Sequence, residues 1–376
     1  MSRFIAFFFV LTLVWACSTD SDAEDTVDVD VVESVSFERS ALLINWADNI
    51  IIPSYEAFST DLDMLLGSFN TFKEDANEDN LVELRSSWVN AYSSWQHIAM
   101  FEIGPAETVG FQLNMNIYPT DSNKIDQFIA TGNYDLSLSS NRSAKGFPAL
   151  DYLLNGLGEN DAAILAFYNG DEKESVLTYT EDVLLDMKSL TDTVLSDWKE
   201  GYRDTFVAND GASSTASVDR LVNDYIFYYE KYLRAGKMGI PLGVFSGSTL
   251  PQNVEAYYEG AISDDLFLEG LNAVQDFFNG KHYNSGTEGE SLASYLNALN
   301  TLKDGEDLSS LINTQFNTAR AMVQDLSAFR EEIENNNPPT AMLLSYDEVQ
   351  NAVPMLKVDM VSAMSISIDF VDADGD

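Results

Sequence analysis

Val176-Leu-Thr-Tyr179-Thr-Glu-Asp-Val183-Leu-Leu-Asp-Met187-Lys-Ser-Leu190-Thr-Asp-Thr-Val194-Leu-Ser-Asp-Trp198 places an apolar residue every three or four positions for more than twenty residues. That spacing lines one face of an α-helix and cannot serve a strand, whose faces alternate every second residue. The same period recurs outward in both directions. Upstream it appears at Leu43, Trp46 and Ile50, at Phe58, Leu62, Leu65 and Phe69, and at Leu81, Leu84, Trp88, Tyr92, Trp95 and Ala99. Asp121 can cap a short helix reaching about Ala130. Downstream the period returns at Val218, Val222, Tyr225, Tyr229 and Tyr232, over 264–278, 292–302 and 308–333, and at Val349, Val353, Leu356, Met360 and Ala363. Pro53 and Pro354 read as kinks. Only the alternating Ser365–Val371 suggests a strand. The expected fold is all-α, with two helical bundles of the four-helix type packed together.

A chain of 376 residues is long enough for two such bundles. The small, polar, aperiodic stretch Ala208–Ala216 is the expected boundary, giving bundles over 36–207 and 217–376. Met1–Ala16 reads as a signal segment: Arg3, then an apolar run too short to span a membrane comfortably. Cys17, the single cysteine, stands directly after it, which excludes an intrachain disulfide and resembles a bacterial lipobox. Lipidation at Cys17 would anchor the protein to the outer membrane, facing the cell surface or the periplasm. Residues 17–35 carry seven acids and no base, and read as a charged tether. The formal charge of −41 argues against nucleic acid as a partner.

The candidate chemistry is sparse. There is no nucleophile elbow, and Gly236-Lys237 lacks the rest of a phosphate-binding loop. The two histidines, His97 and His282, have Met100 and Ser285 at i+3, so neither sits in a helical His/carboxylate pair. His97 is expected at a core or rim position and His282 in an exposed loop. Carboxylate oxygens could still hold a hard cation, and Asp372–Asp376 looks like the start of a calcium loop. One further segment is strongly punctuated: Lys145-Gly146-Phe147-Pro148-Ala149-Leu150-Asp151-Tyr152-Leu153-Leu154-Asn155-Gly156. Pro148 suits a first helical position, Asp151 lies near the first turn, and Gly156 and Gly158 stop the helix.

This segment, with Trp88-x-x-Ala91, Trp95-Gln96, the 101–106 run Phe-Glu-Ile-Gly-Pro-Ala, the 239–246 run Gly-Ile-Pro-Leu-Gly-Val-Phe-Ser and the ending Ser367–Asp376, resembles the imelysin family of bacterial envelope proteins, in its Bacteroidetes lipoprotein branch. The resemblance implies two bundle-like domains with the functional site between them, where Trp88, Trp95, Glu102, Tyr152, Gly239 and Pro241 are the expected cleft residues. It also implies a Gly-x-His-x-x-Glu metal and peptidase motif, which stands here as Gly146, Phe147, Pro148, Ala149, Leu150 and Asp151. Proline offers no donor to a metal, and a second family glutamate aligns with Ala99. The expectation is therefore a non-catalytic envelope lipoprotein linked to iron or haem uptake. The alternative is a metal-dependent peptidase with remodelled ligands, Asp151 acting with carboxylates such as Glu102. No cofactor is fixed by the sequence. Iron, zinc or calcium stay open as a bound ion, and envelope proteins stay open as partners. The shared Gly-apolar-Pro-apolar pattern at 146–149 and 239–242 raises the question whether the two segments approach one another.

Overall fold

In the computed structural model, which describes residues 37–370, the periodic segments are helices and their apolar faces are the core. The cysteine, its flanking signal and tether, and the Asp372–Asp376 ending lie outside the described residues. Lys173–Asp197 is the long helix read from the first stretch; Val176, Tyr179, Val183, Met187 and Val194 are buried along it, and Trp198 just beyond it. It packs on Ile52–Glu74, which packs in turn on Glu78–Gln96. In the second half, Ser263–Phe278, Leu308–Gln324 and Thr340–Pro354 pack with the run that begins at Ser217–Phe227. Glu78–Gln96 also touches Ser263–Phe278, so the two sets share a seam.

The described residues, 37–370, belong to one compact unit. The expected boundary is a solvent-exposed turn between Arg203–Ala208 and Ser217–Phe227. Both flanking helices pack against Arg39–Asn45. Side-chain bonds also tie the halves: Asn45 Nδ2 donates to the carbonyls of Gly280 and Glu290, each at 3.0 Å.

Caps follow the local chemistry. Asp121 accepts from the Lys124 N–H at 3.1 Å and starts Ser122–Thr131, within a residue of the expected bounds. The kinks take a specific form. Trp46–Ile51, just before Pro53, and Met355–Met360, just after Pro354, are π-helical. A proline lacks the N–H that would close an α-turn, so the adjoining carbonyls find wider partners. π-helix also occupies Tyr152–Gly156 and Tyr228–Gly239, immediately after and before the two Gly-x-Pro segments.

The expected strand at the C-terminal end does not form in the described residues. Ser365 adopts a left-handed conformation, and the chain beyond it is held by Asn223, which donates to the Ser367 carbonyl and accepts from the Asp369 N–H. Two side-chain bonds replace a partner strand, and an isolated alternating segment has no other way to satisfy its backbone. The paired strands are Leu302–Lys303 and Glu306–Asp307, a two-residue hairpin too short to carry a period.

Candidate functional site

The motif helix Gly146–Asp151 is buried at every position. Gly146 has φ +75°, and a Cβ there would lie 2.1 Å from the Met115 carbonyl oxygen, so only glycine fits this close backbone approach. Phe147 stacks on Tyr92 with ring centroids 4.3 Å apart and planes 4° from parallel, and it tilts against Phe58 and Trp95. Pro148 is the third helical residue rather than the first, still within the turn whose N–H groups need no helical partner. Pro148 and Asp151 reach a cavity of about 250 Å³ whose other walls include Tyr118, Val254, Tyr257 and Tyr258.

Asp151 is 2 % exposed, and its carboxylate is fully engaged by the protein. Oδ2 accepts from the Tyr258 N–H at 2.8 Å; Oδ1 accepts from the Glu259 N–H at 2.9 Å and from Asn155 Nδ2 at 3.1 Å. A residue 107 positions away in sequence is thereby fastened to the helix. Burial pushes the Asp151 carboxyl up to about 7, while these N–H donors pull it back toward ionisation. Tyr152 is buried too, its hydroxyl donating to Asp126 at 2.7 Å and its ring lying 5.1 Å from that of Tyr258, and it lines a separate cavity with Asp126 and Phe167.

The same irregular stretch, 254–259, carries a second buried device. Glu255, 1 % exposed, pairs with Lys237, 3 % exposed, and accepts from Asn116 Nδ2 at 2.7 Å. Asn116 Oδ1 accepts from the Tyr92 hydroxyl at 2.6 Å. Desolvation holds the Lys237 ammonium below the ordinary lysine range, and Glu255 opposes that shift. The chain therefore closes over the motif helix by two polar links, Asp151 to the 258–259 backbone and Tyr92–Asn116–Glu255–Lys237 across the seam.

The expected cleft residues part company here. Trp88 and Trp95 are completely buried in the aromatic core and line none of the cavities described here; their spacing marked a core face, which the resemblance had assigned to a cleft. Glu102 lies away from the Asp151 cavity. It accepts from the Gln112 N–H at 2.9 Å, and burial pushes it up to about 7. Gly239 is pressed against Phe245 and Tyr346, and Pro241 is buried. The Pro241 carbonyl accepts from the Leu250 N–H at 2.8 Å, and Gln252, two residues on, lines the cavity that Pro148 lines. The two Gly-x-Pro segments thus flank one stretch of chain. His97 is a rim residue bonded to Glu269 at 2.5 Å, and His282 is a partly exposed loop residue, both as expected. What periodicity did not show is that these two histidines line one cavity.

The residues present do not fit a catalytic metal at the motif. The Pro148 side chain supplies no lone pair, both Asp151 oxygens accept backbone N–H bonds, and among the described residues no three His, Cys, Asp or Glu side chains come together as a metal-binding group.

Of the carboxyls that desolvation pushes upward, three reach neutrality: buried Asp151 and half-buried Glu102 to about 7, and half-buried Asp224 to about 8, opposed by Arg220 and reinforced by Glu107. A folded pKa above the unfolded value favours folding while the group is protonated, and that advantage is lost as pH rises through 7 to 8. Urea unfolding should therefore show stability falling between pH 5.5 and 8.5, by roughly 1–2 kcal/mol for each group after discounting for solvent screening. A flat or rising profile across that window would show that these groups are ionised without penalty.

With the geometry in place, sequence comparison decides the family. The imelysin family model matches residues 51–352. The chain belongs to the imelysin family. A segment of 122 residues is 27% identical to Iron-regulated protein A of Synechococcus elongatus, covering 31% of this chain and 33% of that protein, so the chain spans about a third of the length of this curated relative. Two solved structures share the fold. One is described as an iron-regulated protein A precursor from Parabacteroides distasonis ATCC 8503, with TM-score 0.68 and 16% identity, covering 86% of this chain and 95% of that one. The other is an imelysin-like protein from Psychrobacter arcticum 273-4, with TM-score 0.67 and 15% identity, covering 89% and 99%. These matches bear out the expected all-α imelysin fold.

Proposed function

We propose that this imelysin-family protein is a non-catalytic binding protein of the cell envelope, anchored through Cys17 and serving iron or haem acquisition. One observation carries the non-catalytic part: Asp151, the remaining carboxylate of the family motif, gives both oxygens to the backbone of residues 258–259. A zinc hydrolase needs about three protein ligands and an open position for water. Here the histidine position is Pro148 and the carboxylate is a structural clasp. The iron association is supported by the Synechococcus relative, Iron-regulated protein A, which shares part of its sequence with this chain.

The test uses the full chain. Casein is incubated with the protein with added zinc or with chelator, and separate samples are titrated with ferric chelate and with haemin, followed by absorbance. The expected results are no chelator-sensitive cleavage and saturable binding of one iron species. Metal-dependent cleavage at stoichiometric zinc would overturn the non-catalytic reading; failure to bind either iron species would overturn the acquisition role.

A further inference from the structure

A second cavity, of about 670 Å³, opens beside His97, and the Asp151 motif contributes nothing to it. Its size is that of a small-molecule site. Its walls come from Ile50 and Ser54, from His97 and Phe101 just past Glu78–Gln96, from Ser263–Phe278, from the loop at 281–286 and from Arg320 on Leu308–Gln324. Two of its acids are already paired, Glu269 with His97 at 2.5 Å and Asp276 with Lys281 at 2.9 Å. Arg320 is different. It is braced by neutral oxygens: Nε donates to Asn272 Oδ1 and Nη1 to Asn317 Oδ1, at 2.8 and 2.9 Å, and Nη2 to Gln275 Oε1. Among the described residues it forms no salt bridge, although the chain holds 61 acids against 20 bases.

A guanidinium has five N–H donors in a fixed fork. Three are used here to orient it, all by neutral partners, and desolvation depresses its pKa from the ordinary arginine range, with the nearby Asp276 opposing that shift without bonding to it. Orientation without neutralisation is the arrangement that receives a carboxylate through paired, charge-assisted hydrogen bonds. Glu269, Asp276 and Asn272 in the same cavity supply acceptors for hydroxyl or ammonium groups on the same molecule, and they disfavour a multiply charged phosphate.

We propose that the His97–Arg320 cavity binds a small carboxylate that also carries hydrogen-bond donors, a hydroxy acid or an amino acid, with the Arg320 guanidinium as its anchor. This site is independent of the iron-related reading. Calorimetric titration of the full chain with lactate, with glutamate and with inorganic phosphate tests it. The expected result is saturable binding of lactate or glutamate, with phosphate weaker. Arg320→Gln should weaken binding roughly tenfold or more, as expected for loss of charge-assisted bonds. Because Arg320 also braces two helices, Ser285→Asp is the second variant. It adds a carboxylate to the cavity wall without touching the anchor and should weaken binding roughly fivefold, with thermal stability unchanged. No saturation by either carboxylate, preference for phosphate, or undiminished affinity in Ser285→Asp would overturn the assignment.

Discussion

Lys237→Met is expected to lower the unfolding free energy by about 3–5 kcal/mol, because it strands the Glu255 carboxylate in the interior without its counter-charge. Glu255 is 1 % exposed, and the polar groups left beside it are neutral, the Asn116 amide and the Tyr92 hydroxyl. The double variant Lys237→Met with Glu255→Leu should recover most of that loss, since removing both charges also removes the cost of burying them. Urea denaturation of the three variants measures the coupling directly. A single-variant cost under about 1 kcal/mol would mean that Glu255 is hydrated or neutral, and that the seam is not closed by this pair.

Phe147→Ala is expected to cost about 3–5 kcal/mol, the range for truncating a fully buried aromatic ring. The ring is completely buried and stacks on Tyr92, whose hydroxyl begins the chain of bonds to Glu255. Its loss would therefore loosen the seam as well as the core. Val82→Ala, at a side chain 56% exposed, is the control and should stay within about 0.5 kcal/mol of the parent. If Phe147→Ala costs no more than the control, the motif helix is not part of the core.

The helices were legible in the sequence because burying an apolar stripe imposes its period on the residues. The run Val176, Tyr179, Val183, Met187 and Val194 is one such stripe, and each member is buried. Trp88 and Trp95 obey the same period and are core for the same reason; only the resemblance suggested a cleft. The π-helical turns lie beside Pro53 and Pro354, which read as kinks, and beside Pro241, which stood in a stretch that carried no period; at Trp198–Tyr202 no proline marks the widening.

The site was legible in half. Gly146, Pro148 and Asp151 stood out as punctuation, and the structure gives each a physical reason: close backbone approach, a turn without need of an N–H, and a buried clasp. The partners of Asp151 are backbone N–H groups of Tyr258 and Glu259, which carry no side-chain signature. Lys237 and Glu255 lie in aperiodic chain 18 residues apart, and nothing in their spacing distinguishes them from surface charges. The His97–Arg320 cavity was hidden for a related reason. Its residues come from four distant segments, and its distinguishing feature is an ion pair that is not made.

The central claim is that the motif carboxylate is structural. The direct measurement is metal content per chain, after incubation with zinc and with iron followed by gel filtration, for the parent and for Asp151→Asn with folding checked by circular dichroism. The account predicts the same metal content in both proteins, with the variant shifted only in stability. A stoichiometric metal in the parent that disappears in folded Asp151→Asn would contradict it.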